Sequence, residues 1–319
     1  MPRTIVIRVG TAGWAYEDWK SIVYPSRPSR GFDRLGMMAS LFDTNEINSP
    51  FYRIPTPRQT ADWSRRVAHN PRFAFTAKLY RGFTHERKAG SAEEKEYLEA
   101  LEPLQRDGRL GCVLAQFPVS FHSTVENRGL LTGILDRFAS LPLAVEFRHE
   151  SWDTEDVREL LAARDAAFVN IDQPGLRGNL RPTGYVTSPV AYFRFHGRNA
   201  EKWFGPDTSN EERYNYLYSD KELAPWVERI RAAAQRAAGL TGQASPPPQG
   251  PRRVGSPAKA GVYAILNNHF RGQAVTNALQ LQQMLTGEIR SIPETLRDAY
   301  PTLAVITREV TGPAQRKLF

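Results

Sequence analysis

The chain has 319 residues, of which 41% are hydrophobic, and a formal net charge of +8. That apolar fraction can fill a sizeable core, and no run approaches the roughly 20 consecutive apolar residues that a bilayer-crossing helix requires. With no signal-peptide-like apolar region behind Met1-Pro2-Arg3, the sequence predicts a cytoplasmic protein with no membrane partner. A single cysteine, Cys112, excludes an intramolecular disulfide, and its apolar setting Gly111-Cys112-Val113-Leu114 predicts a buried, unreactive thiol.

Short β-branched and aromatic runs begin near Ile5, Asp43, Arg72, Cys112, Leu143, Ala166, Val190 and Gly261. Between them helical periodicity is best over 32–41, 56–67, 91–106, 153–163, 222–238 and 272–284. Strand alternating with helix eight times predicts an α/β protein with a parallel sheet, and eight parallel strands close into a TIM-type (β/α)8 barrel. An open doubly wound sheet is the structural alternative, because strand order cannot be read from sequence. Residues 1–319 read as a single domain. The Pro/Gly/Ser-rich stretch 241–258, with too little apolar surface to repay ordering, reads as a flexible insertion between the seventh helix and the eighth strand.

In a closed barrel, alternate strand residues face the axis, and those near the C-terminal ends line the mouth where barrel enzymes do chemistry. Taking the polar residue near each strand end as inward gives Glu46 and Asn48, Lys78, Gln116, Glu146 and Arg148, Asp172, Arg194 and His196, and Asn267 and His269. Charges buried in otherwise apolar strands require compensation. Mutual neutralisation would do it, Glu146 with Arg148 or Arg194 and Asp172 with Lys78. A ligand site would also do it. In that reading Glu46, Glu146, His196 and Asp172 are the acid–base candidates, and Lys78, Arg148 and Arg194 hold an anion, Arg148 and Arg194 by bidentate pairing. Asn48, Gln116 and Asn267 would add polar contacts, and Trp14, Tyr52 and Trp152 would add aromatic faces for a planar ligand.

No organic cofactor is expected. A divalent metal on Glu46, Glu146, Asp172, His196 and His269 is the weaker alternative, since no ligand pair has a diagnostic spacing and the interleaved Lys78, Arg148 and Arg194 would repel the ion.

A family likeness is carried by Val9-Gly10-Thr11-Ala12-Gly13-Trp14, the run Asn45-Glu46-Ile47-Asn48-Ser49-Pro50-Phe51-Tyr52-Arg53, Phe75-Thr76-Ala77-Lys78 and Gln116-Phe117-Pro118. It continues in Ala144-Val145-Glu146-Phe147-Arg148-His149-Glu150-Ser151-Trp152 and Tyr192-Phe193-Arg194-Phe195-His196-Gly197. Over roughly residues 5–285 these resemble the YecE-like family, domain of unknown function 72. The resemblance implies a TIM-type barrel and supplies no accepted catalytic residue. Ser49-Pro50-Phe51-Tyr52 stands where many relatives would read Ser-Thr-Phe-Tyr, and the 241–258 stretch resembles an addition to the family pattern.

The sequence therefore points to an enzyme that binds a small anionic substrate, phosphorylated or nucleotide-like, at the barrel mouth and acts by acid–base chemistry of the lyase, isomerase or hydrolase kind. The alternatives are a nucleic-acid-binding protein or endonuclease-IV-like nuclease, for which the basic charge speaks, and a non-catalytic barrel that binds a metabolite or a protein. Oligomeric state is not legible.

Overall fold

Eight strands pair in parallel in chain order and close on themselves: β1 (Val6–Ala12), β2 (Thr44–Ile47), β3 (Ala74–Lys78), β4 (Leu110–Gln116), β5 (Leu143–Glu146), β6 (Ala167–Asp172), β7 (Val190–Phe195) and β8 (Gly261–Leu266). Closure comes from β8 lying against both β7 and β1, with Gly261 beside Val190 on one side and Val6 on the other. The structure, a computed structural model, describes residues 5–203, 210–240 and 260–309; the predicted insertion at 241–258 lies outside them. No described helix is long and apolar enough to cross a membrane.

Buried on both faces, most of the strands are largely apolar, as parallel strands covered by helices require, with β2, Thr44-Asn45-Glu46-Ile47, the polar exception. Their outer faces pack beneath the helices Arg34–Leu41, Pro57–Arg66, Ser91–Arg106, Val125–Arg137, Glu155–Ala162, Asp220–Leu240 and Gln273–Thr286. Local signals set several helix starts. Thr56 and Gln59 form a reciprocal capping box in front of Pro57, and Thr124 accepts the amide of Asn127 at 3.2 Å. The helix Val125–Arg137 was not among the predicted intervals. Gly129 and Gly133 inside it and its weak apolar stripe leave little periodicity to read.

The expected alternation fails once. Residues 173–189, between β6 and β7, form no helix. Side chains replace it. Asn170 Oδ1 accepts from Thr183 Oγ1 and the Tyr185 amide at 2.8 and 2.7 Å, and Thr187 Oγ1 donates to Ala166 O at 2.7 Å and accepts from the Phe168 amide at 2.9 Å. The connector's polar backbone is thereby held against the barrel wall without a helical ladder. C-terminal to the barrel, Arg290–Ile292 pairs with Thr307–Glu309 in a separate two-stranded parallel sheet.

The barrel interior is solid below the mouth. Tyr192 OH donates to Glu46 Oε2 at 2.8 Å and meets Thr76 Oγ1 at 2.9 Å. Tyr263 reaches across to Gly111, where a Cβ would stand 2.2 Å from the phenol oxygen, so only glycine fits there. Cys112 is fully buried, as expected from its neighbours.

Candidate functional site

At the C-terminal ends of the strands the barrel opens into a cavity of about 800 Å³. Of the residues nominated from sequence, Trp14, Asn48, Tyr52, Lys78, Gln116, Arg148, Arg194, Asn267 and His269 line it. Glu46, Glu146 and His196 form the layer beneath, each with no exposed surface. This grouping follows from strand register. Glu46 lies beside Thr76, Gln116 beside Glu146 and Arg194 beside Ile265, so period-two alternation sends their side chains to the axis.

Charge is arranged around Arg194. Its Nε and Nη2 donate to the two oxygens of Glu46 at 3.0 and 2.7 Å, and Nη1 donates to Glu146 Oε2 at 3.1 Å. Burial alone would lower the arginine's proton affinity, but the two carboxylates outweigh it and raise it further. Glu146 is also met by Arg148 Nε at 2.6 Å and His196 Nε2 at 3.2 Å. Burial pushes the Glu146 carboxyl up, yet Arg148 and Arg194 hold it well below the usual range, so it is an anion. Neutralisation of Glu146 by both arginines, one of the two ways to compensate the buried charge, is thus part of the architecture.

His196 is held neutral. Burial, reinforced by Arg148, pushes its pKa down to about 3. Asn267 Nδ2 stands 3.1 Å from His196 Nδ1, and as the donor it places the ring proton on Nε2, toward Glu146. Lys78 has a different environment. Its Nζ donates to Gln116 Oε1 at 3.0 Å and sits 4.0 Å from the centre of the Phe51 ring. It forms no ion pair with any described residue. Burial first, then Arg194, pushes its pKa down to about 7. Its partly exposed surface opens onto the cavity.

Two nominated residues lie elsewhere. Asp172 aligns with Phe195, not with the inward Arg194, and so points out of the barrel. There it accepts from Arg198 Nη2 at 2.6 Å, Tyr218 OH at 3.0 Å and Trp226 Nε1 at 2.6 Å. It is neither a partner of Lys78 nor in the cavity, which corrects its assignment as an acid–base candidate. Trp152 is fully buried, stacked on Phe147 with ring centroids 4.4 Å apart, and its Nε1 donates to Phe121 O at 2.5 Å. It is a core residue, not an aromatic ligand platform. Trp14 and Tyr52 do reach the cavity, Trp14 braced edge-on by Trp63 and Tyr52 largely exposed at the rim.

The cavity also holds residues that the strand-end rule missed because they come from loops: Tyr16, Glu17, Asp18, Phe51, His85 and Tyr214. Tyr16 stacks on His269 at 4.3 Å and donates to Ala12 O at 2.7 Å. Glu17 is engaged by Arg34 at 2.9 Å, and Asp18 accepts the Arg271 amide at 2.6 Å. His85 packs edge-on to Phe51 at 4.9 Å, and burial together with Lys78 pushes its pKa down to about 4. The clustering of aromatics after the first two strands was the available signal. Asn48 Oδ1 and His269 Nδ1 are buried without a hydrogen-bond partner. Among the described residues no group of three or more His, Cys, Asp or Glu side chains is placed to hold a metal ion.

A closed eight-stranded parallel barrel with a polar cavity at the C-terminal ends of its strands defines a TIM-type barrel protein. Residues 8–300 match the model of a protein family of unknown function, DUF72, and the chain belongs to that family. It is 27% identical over 295 residues to the UPF0759 protein YunF of Bacillus subtilis (strain 168), covering 88% of this chain and 95% of that protein. Among solved structures, a DUF72 family protein from Thermotoga maritima MSB8 superposes with a TM-score of 0.71 at 34% identity, covering 88% of this chain and 99% of that one. A second, from Enterococcus faecalis V583, gives a TM-score of 0.70 at 27% identity, covering 88% and 95%.

Proposed function

We propose that the barrel mouth binds a small anionic substrate and carries out acid–base chemistry on it. The observation that carries this reading is the floor of the site: Lys78, Arg148 and Arg194 face it against Glu46 and Glu146, while the loop carboxylates Glu17 and Asp18 are engaged by Arg34 and the Arg271 amide. Arg194 is saturated by those carboxylates and acts as their clamp. Arg148, 11% exposed, touches Glu146 through Nε, stands 3.5 Å from His196 Nδ1 through Nη2, and lines the cavity, where its Nη1 edge can meet a carboxylate or phosphate. A pocket of this size suits a metabolite-sized molecule. Lys78, with a proton affinity near neutrality, and His85, neutral above about pH 4, are the groups able to accept or pass on a proton. Glu46, Glu146 and His196 fix the cations in place and are positioning residues in this scheme.

The test is linkage between anion and fold. Sulfate and phosphate should raise the melting temperature of the parent protein at constant ionic strength, because a ligand bound only by the folded state stabilises it, by about 2.7 kcal/mol at a hundredfold excess over Kd. Arg148→Met should remove most of that gain. It should cost less than the ~3–5 kcal/mol of breaking a buried ion pair outright, since Arg194 and His196 remain on Glu146. An undiminished anion effect in Arg148→Met would assign Arg148 to neutralisation alone. Affinity for oligonucleotides that rises with length and falls steeply with salt would replace the small-substrate reading with a nucleic-acid one.

A further inference from the structure

The barrel floor commits both of its carboxylates to arginines. Glu46 is bound by Arg194, and Glu146 by Arg194 and Arg148, which leaves the amine of Lys78 beside a neutral carbonyl oxygen and an aromatic ring. A lysine kept only for its charge gains from a carboxylate partner. One sequestered from water among other cations loses its proton readily and becomes a nucleophile. Three further features belong to the same cavity: a guanidinium edge on Arg148, the neutral ring of His85 packed on the Phe51 ring that also carries Lys78, and the Tyr16 and His269 stack on the loops after β1 and β8.

We propose that Lys78 forms an imine with a small carbonyl-bearing acid of the 2-oxo acid kind, whose carboxylate is held by Arg148. This rests on the reading of the cavity as an anion site and adds the substrate class and a covalent step. The Nζ lone pair adds to the carbonyl carbon, and the C–O π pair moves to oxygen, which gains a proton as nitrogen loses one. The carbinolamine then expels its hydroxyl with the second nitrogen hydrogen as water. Amine and carbonyl balance against imine and water, with no oxidant or reductant. His85 lines the cavity as a group that can relay these protons.

Reductive trapping tests the step. The full-length protein is incubated at pH 7 with glyoxylate and cyanoborohydride, and modified lysines are located and timed by peptide mass spectrometry. Lys78 should carry the adduct at least about 10-fold faster than any other lysine, because surface amines with pKa about 10.4 are almost wholly protonated at that pH. Arg148→Met should slow the glyoxylate adduct several-fold while sparing that of glycolaldehyde, which has no carboxylate. Lys78→Arg should lose the adduct at position 78 and keep a single cooperative thermal transition, which shows that the variant is folded. Modification spread evenly over the lysines, with sulfate still stabilising the parent, would overturn the imine and leave the anion site standing. A fast Lys78 adduct with glycolaldehyde in a protein that sulfate does not stabilise would overturn the acid as substrate and the anion reading with it.

Discussion

Lys78, at the end of β3, and Arg194, on β7, face the same barrel mouth, and desolvation has opposite outcomes for them. Arg194 meets two carboxylates that more than offset its desolvation, whereas Lys78 meets none and its pKa falls to about 7. The sign of the linkage follows. An unfolded lysine binds its proton below about pH 10.4, and the folded Lys78 binds it only below about 7, so stability is lost as pH falls between those values and is level beneath them. Lys78→Met keeps an apolar chain against Phe51 and removes the desolvated amine. It should raise ligand-free stability at pH 7 by about 2–4 kcal/mol, read from urea denaturation, because the unfavourable linkage disappears. A loss of stability instead would make the Lys78–Gln116 hydrogen bond a structural element of the barrel and not a strained functional one.

At the level of strands and connections, period-two alternation applied to apolar runs with a polar end found the mouth from β2, β3, β4, β5, β7 and β8. It mislaid β6, where Asp172 sits at the end of an apolar strand in either phase. The distinguishing cue was the other residue set: Val169 and Ile171 are the β-branched pair that barrel layers favour, and Asn170 and Asp172 share the outer face. No helix follows this strand, and its polar outer face is satisfied by the connector at Asn170 and by Arg198, Tyr218 and Trp226 at Asp172. Pro174, Gly175, Gly178, Pro182, Gly184 and Pro189 punctuate the connector, and Asn170 supplies the hydrogen bonds that a helix would have supplied to itself. Loop residues such as His85 and Tyr214 were beyond any strand rule, because their approach to the cavity depends on loop paths with no period. Asn170→Ala should therefore be expensive for an exchange of one polar side chain. It strands the Tyr185 amide and the Thr183 hydroxyl, at about 1–3 kcal/mol for each buried group left unpaired. Hydrogen exchange should rise across 173–189 while stabilisation by sulfate persists, since Asn170 faces away from the cavity. Faster exchange spread over all eight strands would mean that the connector has no local stability of its own.

For the molecule as a whole, the buried imidazoles determine how it meets acid. His196 is pushed to about 3 and His269 and His85 to about 4, in each case by burial first, with cations adding to the effect at His196 and His85. All three remain neutral in the folded protein at pH 5, while in the unfolded chain each takes up a proton near pH 6.5. Their contribution to stability is complete above about 6.5 and declines as pH drops, levelling only below the folded values. The slope approaches ~1.4 kcal/mol per pH unit for a fully buried histidine such as His196. Glu146 begins to act only lower, since its carboxylate is stabilised in the fold and its contribution fades below the ordinary carboxylate range near 4.3. Two arms should therefore appear in a plot of denaturation midpoint against pH: a steep one from 6.5 to 4.5 due to histidines, and a shallower rise from 7 to 10 due to Lys78. The variants separate them. His196→Asn, which cannot take up a proton in either state, should flatten the acid arm and leave the alkaline one, and Lys78→Met should do the reverse. Sulfate should shrink the alkaline arm of the parent, because an anion beside Lys78 restores the proton that burial removed and its stabilisation grows as pH falls toward 7. An acid arm unchanged by His196→Asn would place the proton uptake on His85 and His269, and an alkaline arm insensitive to both sulfate and Lys78→Met would remove Lys78 from the cavity's chemistry.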